Sequence, residues 1–284
     1  MFNPIEQTYF IFIHLTNIIL SMGEINYLIA HIKDLAKKSS KENILTSTSF
    51  LSLSEQSEIN KILPSLNKEY SNELNFILDG GNGENSDRKI LFIVPSFLND
   101  YFEEFKKERI SLLHLTPKNA KYSEKLTHRD YLGALMNLGY KREKIGDIIV
   151  NFENQNEAII YLDSLIKDTV INELVSVKHT SLKIKEIELN IPPFSPHFEY
   201  ISIYVSSLRL DNVIKETFKL AREVAKELIE KEFVFINGLS QSSPSYQLKK
   251  NDRVSVKSKG KFIFLDETNV NKKGKYHTII KKYS

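Results

Sequence analysis

The stretch Arg209-Leu210-Asp211-Asn212-Val213-Ile214-Lys215-Glu216-Thr217-Phe218-Lys219-Leu220-Ala221-Arg222-Glu223-Val224-Ala225-Lys226-Glu227-Leu228-Ile229-Glu230-Lys231-Glu232-Phe233-Val234-Phe235-Ile236-Asn237-Gly238 carries the most specific pattern in the chain. Ser206 or Ser207 is placed to cap a short helix whose apolar residues Leu210, Val213, Ile214 and Phe218 share one face. After Lys219-Leu220 a second helix directs Ala221, Val224, Ala225, Leu228 and Ile229 inward, which leaves Arg222 and Lys226, one turn apart, on another face. The strand Phe233 to Ile236, the turn Asn237-Gly238 and a second strand near Arg253 to Lys257 close a hairpin. Two helices and a hairpin make one compact unit.

Charge marks the same region. Residues 204–284 hold 17 Lys and Arg against 9 Asp and Glu, whereas residues 1–203 hold 22 against 27. A polyanion-seeking module is thus attached to a mildly acidic body. Lys215, Lys219, Arg222, Lys226 and Lys231 form a cationic surface suited to phosphates, extended by Asn237, Lys249, Lys250 and Arg253, and residues 249–284 read as a basic tail. Because Glu223, Glu227 and Glu230 interleave with these cations, a salt-bridged helix surface without a ligand is the competing interpretation.

Upstream, Asn190-Ile191-Pro192-Pro193-Phe194-Ser195-Pro196 reads as a stiff linker, since each proline fixes its own φ and biases its predecessor away from helix. Before it the pattern alternates: strand 89–94, helix 97–107, strand 109–115, helix 128–138, strands 146–152 and 156–161, helix 163–174, strand 181–187. Such alternation predicts an α/β layer with helices on one face of a sheet. Residues 22–80 read as a small, mainly helical unit, with a capping box from Ser52 to Glu55. The expected organisation is an extension over 1–21, a helical unit over 22–80, a central α/β domain over 81–190, a linker over 191–203 and the basic module over 204–284. The apolar run Tyr9 to Ile13 is too short and interrupted to span a bilayer, and no Lys or Arg precedes it, so the reading favours neither a membrane span nor a secretory signal.

The chain of 284 residues, 41% hydrophobic and 26% charged, has globular composition. Its zero cysteines exclude disulfides, thiol catalysis and cysteine zinc sites, in keeping with a reducing cytoplasm.

The helix–helix–hairpin pattern closely resembles the S4-type RNA-binding domain, through Arg209-Leu210-Asp211, Ala221-Arg222 with Ala225 and Leu228-Ile229, and Val234-Phe235-Ile236-Asn237-Gly238. Where that family usually has glycine after the second helix, this chain has Glu232, which strains a left-handed helix end and adds negative charge. The run Leu126-Thr127-His128-Arg129-Asp130-Tyr131-Leu132-Gly133-Ala134-Leu135, followed by Leu138 to Ile148, resembles the YlmH family of bacterial RNA-binding proteins. The likeness extends over residues 23–284 and is weakest from Gly80 to Arg88, where Asn82 stands in place of an aromatic. The resemblance implies an α+β chain: a helical N-terminal unit, a central RRM-like or ferredoxin-like sandwich and a C-terminal S4 domain. It also implies a cytoplasmic protein of the ribosome, associated with the large subunit and peptidyl-tRNA in the rescue of stalled nascent chains.

His128-Arg129-Asp130 resembles a kinase catalytic tripeptide, but the required downstream Asn is replaced by Leu135 and the accompanying motifs are missing. Helix capping and salt bridging account for it, with RNA contact by His128, Arg129, Lys141, Arg142 and Lys144 as a secondary role. The seven histidines lack metal-ligand spacing, and Gly80-Gly81-Asn82-Gly83 lacks the context of a nucleotide loop. With no catalytic motif found, the expectation is a non-catalytic protein with no cofactor, metal, small-molecule substrate or membrane, and the resemblance implies rRNA or tRNA as what it binds. The rivals are an RNA-modifying enzyme related to pseudouridine synthases and a cell-division-linked adaptor with a protein partner.

Overall fold

A strand buried on both faces reads as a continuous apolar run, and Ile90-Leu91-Phe92-Ile93-Val94 is such a strand. The computed structural model describes residues 4–71, 73–270 and 274–283, with side chains from Gly23 onward except 266–269. In it three antiparallel sheets are stacked or joined around this run. Helix α1 (Pro4–Glu42), strand β1 (Thr46–Ser47), helix α2 (Leu53–Glu69), strand β2 (Leu74–Asp79) and strand β3 (Ile90–Pro95) form the first layer, with sheet order β1-β3-β2. The capping box forms as the sequence predicts: the backbone N–H of Ser52 donates to Glu55 at 2.6 Å, and that of Glu55 to the Ser52 hydroxyl at 3.3 Å. Ile32, Ala36, Ile59 and Leu66 of the helices cover Leu91 and Ile93 on one face of β3.

Helices α1 and α2 make up most of this unit, and β3 pairs with β1 and β2 instead of with the central sheet. The periodicity of 89–94 correctly marks a strand, but strand pairing is a tertiary choice that a single run does not encode. The expected extension over 1–21 falls on side chains outside the described residues; the backbone of α1 continues through Met22.

The second sheet holds β4 (Ile110–Pro117), β5 (Ile145–Val150), β6 (Ala158–Asp163), β7 (Ser176–Val177) and β8 (Thr180–Ile187) in the order β5-β6-β4-β8-β7. Helices α3 (Phe102–Arg109), α4 (His128–Asn137) and α5 (Lys167–Glu173) accompany it. The order β5-β6-β4-β8, antiparallel throughout with α4 and α5 as crossovers, is the ferredoxin-like arrangement. Leu113, Leu115, Ile160 and Leu162 face Tyr131, Leu135 and Val170 of those helices. The opposite face, with Leu112, Ile159 and Tyr161, is covered by Phe50, Ile90, Phe92 and Val94 of the first layer. Each such side chain, when fully buried, contributes roughly 1.5–3 kcal/mol, so the two layers hold together as one body. The sheet face that a free RRM-like unit would offer to RNA is therefore internal over its centre.

The third sheet is larger than a hairpin. β9 (Phe198–Val205), β10 (Val234–Ile236), β11 (Leu239–Ser240), β12 (Arg253–Val256), β13 (Gly260–Val270) and β14 (Tyr276–Tyr283) order as β11-β10-β12-β13-β14-β9. Helices α6 (Leu210–Phe218) and α7 (Arg222–Glu230) pack on one face through Leu210, Val213, Ile214, Ala225 and Ile229. The expected basic tail is thus the pair β13–β14, and the expected linker 191–203 ends where β9 begins at Phe198. Strands with lysines at alternate positions read as a polar tail when charge alone is counted.

Loop 80–88 joins the three units. The Arg253 guanidinium donates to the carbonyls of Glu84 (2.8 Å) and Ser86 (3.2 Å) and pairs with the Asp87 carboxylate. The Tyr283 hydroxyl donates to Asp87 at 2.9 Å, and Lys281 to the Asn85 side chain at 3.1 Å. From the other side, the backbone N–H groups of Asp87 and Arg88 donate to the Asp147 carboxylate at 2.9 and 3.0 Å. At the hairpin tip, Ser57 donates to the Asn237 carbonyl at 2.9 Å, and a Cβ on Gly238, at φ +82°, would lie 2.4 Å from the Ser54 nitrogen. Only glycine admits α2 so close.

Glu232 adopts φ +58° after α7, the left-handed end that its position predicts. A non-glycine residue there costs about 1–2 kcal/mol, offset in part by the extra chain entropy of glycine. Glu232→Gly is expected to raise unfolding stability by about 1 kcal/mol in a urea titration; an unchanged or lowered midpoint would show that side-chain contacts of Glu232 outweigh the strain.

Candidate nucleic-acid interface

The first turn of α6 places Asp211, almost fully buried, below the start of α7. Arg209 clamps it with two bonds of 3.0 Å, and Arg222 reaches the same carboxylate at 3.5 Å. Burial works to raise the Asp211 carboxyl, but the hydrogen bonds and charge of Arg209, with Arg222 behind it, outweigh this and hold it below the usual range. One carboxylate thus aligns two guanidiniums, and Arg222 remains 58% exposed with donors free to meet phosphate. Lys219 and Lys226 are exposed beside it. Lys226 pairs with Glu230 at 3.4 Å, Lys231 with Glu227, and Lys215 with Glu216 at 2.9 Å. Exposed pairs of this kind contribute only about 0.2–1 kcal/mol, so they yield readily to a polyanion.

The remaining candidates divide. Lys249 and Lys250 are exposed. Asn237 instead completes the hairpin, with its amide donating to Asp252 at 2.9 Å and its side-chain oxygen accepting from the Arg253 backbone at 2.9 Å. Arg253 lies at the junction with loop 80–88, its side chain 18% exposed, so it locks the module to the body instead of standing on an open face. A surplus of cations on a strand carries no label for which of them will find an internal partner.

In the central domain the capping explanation of His128-Arg129-Asp130 matches the geometry. The Thr127 hydroxyl and backbone N–H donate to Asp130 at 2.7 and 2.8 Å, and Lys178 pairs with it at 2.9 Å. Lys178 and Thr127 together hold the Asp130 carboxyl down at about 2, so it stays ionised at neutral pH and engaged with both partners. Lys144 pairs with buried Asp163 at 2.8 Å, and Arg142 binds the carbonyls of Ile145 and Gly146, the latter at 3.1 Å. Both are structural. His128, Arg129 and Lys141 stay exposed.

His128 borders a cleft of about 410 Å³ between the central domain and the third sheet, lined also by Lys125, Asp147, Phe152, His197 and Lys261. Partial desolvation there, followed by the charges of Arg142 and Lys261, lowers the His128 imidazole to about 4, although its outer edge is exposed. The cleft went unseen in the sequence because Phe152 and His197 lie far apart along the chain; their rings stack at 3.8 Å. Among the described residues no cluster of metal-ligating side chains occurs, and no helix is long and apolar enough to cross a membrane.

Parts of the chain are similar to known proteins. Residues 102–191 match the family described as "Putative RNA-binding domain in YlmH", and residues 208–254 match the S4 domain. The ribosome-associated protein quality control protein P2 of Bacillus subtilis is 28% identical over 187 residues, covering 64% of this chain and 68% of the relative. The small ribosomal subunit protein uS4 of Vesicomyosocius okutanii is 39% identical over 54 residues, 19% of this chain and 26% of the relative. A solved structure, the cell division protein ylmH from Streptococcus pneumoniae, aligns over 58% of this chain and 92% of its own length, with 23% identity and a TM-score of 0.44.

Asp147 supplies a pH test of the junction. Burial, and then the neighbouring Asp87 charge, push its carboxyl up to about 6 against the pull of two backbone N–H groups and Arg142. Because the folded value exceeds that of an unfolded Asp, the contribution of this group is complete below about pH 4 and is lost as pH rises through about 6. Asp147→Asn removes the titration. The melting temperature of the original protein minus that of this variant is expected to be highest at about pH 4 and to fall steadily to pH 7; a difference that stays constant or rises would place the Asp147 titration outside this range.

Proposed function

We propose that this chain, which carries a YlmH-type RNA-binding domain and an S4 domain in the order of the YlmH family, is a non-catalytic cytoplasmic protein that docks on structured RNA of the ribosome. The reading places it on rRNA or tRNA of the large subunit, including peptidyl-tRNA, in the quality control of stalled nascent chains. The observation that carries it is the buried Asp211 holding Arg209 and Arg222 at the head of α7, beside the exposed Lys219 and Lys226. Positioned guanidiniums bind phosphate in a preset geometry, and surrounding lysines add charge without sequence preference. The relative of similar sequence in Bacillus subtilis, whose name places it in ribosome-associated quality control, supports the same assignment.

Mechanistically the protein would act by docking. The S4 helices grip RNA backbone while His128, Arg129 and Lys141 of the central domain contact a second segment, and loop 80–88 fixes the distance between the two. Rigid linkage turns two modest contacts into one strong one, because the second forms without a further search. Asp130, engaged as a cap and ion pair, supports a role without chemistry.

Arg222→Gln with Lys226→Gln removes two exposed charges while leaving Arg209 on Asp211. Affinity for ribosomal RNA is expected to fall at least about tenfold, and the slope of log affinity against log salt to drop by roughly 0.7–0.9 per lost phosphate contact, with melting temperature nearly unchanged. Unaltered co-sedimentation with ribosomal subunits across a salt series would remove this face from the mechanism. A change in RNA mass on incubation would overturn the non-catalytic reading.

A further inference from the structure

The two strands at the open edge of the third sheet carry a second feature, on the face turned away from α6 and α7. Cross-strand partners share a face, and the register pairs Phe198 with Tyr283, Tyr200 with Lys281, Ser202 with Ile279 and Tyr204 with His277. The intervening residues Ile201, Ile203, Val205 and Ile280 point to the helices. Three of the four outward positions of β9 are therefore aromatic. Tyr200 is 65% and Tyr204 53% exposed, far more than packing would leave. Tyr204 stacks on His277 with ring centroids 4.7 Å apart, Phe198 meets Tyr283 edge-on at 5.0 Å, and Lys281 lies 3.9 Å from the Phe198 centroid. At the near end, His197 stacks on Phe152, itself 52% exposed, across the cleft from the central domain.

We propose that this face of β9 and β14 is a stacking platform for unpaired nucleotides of RNA, an inference that rests on the RNA-binding reading above. Alternate residues of a strand stand about 6.6 Å apart, which lets successive rings each meet one base of an extended single strand. Aromatic side chains accept any base on their faces, while nearby lysines meet the phosphates. Lys261, 52% exposed, and Lys281 supply that charge. Among the described side chains of these outward positions there is no carboxylate, and the neighbouring Asp87 is already held by Arg253 and Tyr283. Exposed tyrosines beside Lys261 and Lys281 suit a polyanion with flat bases, which uses both the rings and the charge. Since the α7 cations lie on the opposite side of the same sheet, the helix face takes structured RNA and the platform takes a single strand that passes round the β9 edge.

The test uses the full chain and two labelled RNAs, an unstructured dodecamer of A and C and a blunt hairpin, followed by anisotropy. Tyr200→Ala with Tyr204→Ala is expected to weaken the dodecamer at least about tenfold and the hairpin less than twofold, because stacking on each base is lost only for the single strand. Tyr200→Phe with Tyr204→Phe keeps the rings and is expected to bind the dodecamer within about threefold of the original. Dodecamer affinity indifferent to the alanine variant would overturn the platform and leave the face to a protein partner. Equal loss on both RNAs would also overturn it, by tracing the effect to the fold. If the unaltered protein binds the hairpin but not the dodecamer, the platform fails alone; if it binds neither, the RNA-binding reading fails with it.

Discussion

Asp87 is the carboxylate on which the arrangement of the three units depends. Its backbone N–H and that of Arg88 are held by Asp147 of the central sheet, while its side chain holds Arg253 and Tyr283 of the third. A surface ion pair would be too weak to set a domain orientation. Here the Asp87 and Arg253 side chains are 21% and 18% exposed, and two carbonyls from the same loop satisfy further guanidinium donors. Breaking such a partly buried network leaves charge and donors unsatisfied, which is where the large penalties arise. Burial presses the Tyr283 hydroxyl well above its ordinary value, and the Asp87 charge adds to this, so it stays a donor to Asp87 at any physiological pH.

This constraint redistributes the surfaces open to RNA. The first layer covers the sheet face that a solitary ferredoxin-like unit would expose, so Leu112, Ile159 and Tyr161 serve as core. Under the proposed reading, recognition falls to the cations of α7, to the exposed end of α4 and to the aromatic edge of the third sheet. Since the junction fixes these relative to one another, their separation is a property of the fold and not of a flexible linker.

Much of this was legible in local sequence. The capping box at Ser52, the Asn237-Gly238 turn, the buried faces of α6 and α7 and the strained position of Glu232 are local effects that appear where their residues predict, whereas the α6 N-cap is Arg209 instead of Ser206 or Ser207, and Ala221 and Val224 are exposed instead of inward. The pairing of β3 with β1 and β2 was not legible, because its unbroken apolar run suits any doubly covered strand. Nor was the fate of individual cations. Lys226 and Arg253 look alike in a charge count, yet one stands in solvent and the other is enclosed by loop 80–88. That loop is where resemblance to the family is weakest, and its turn-rich composition reads as a flexible surface segment. Its role comes from partners far away in the chain.

The most direct measurement of the central claim is a double-mutant cycle between Asp87→Ala and Arg253→Ala, read from urea unfolding of the full chain. The account predicts a coupling of about 1 kcal/mol or more, since the two side chains share one partly buried network. A coupling near zero, with the two single losses simply adding, would contradict it.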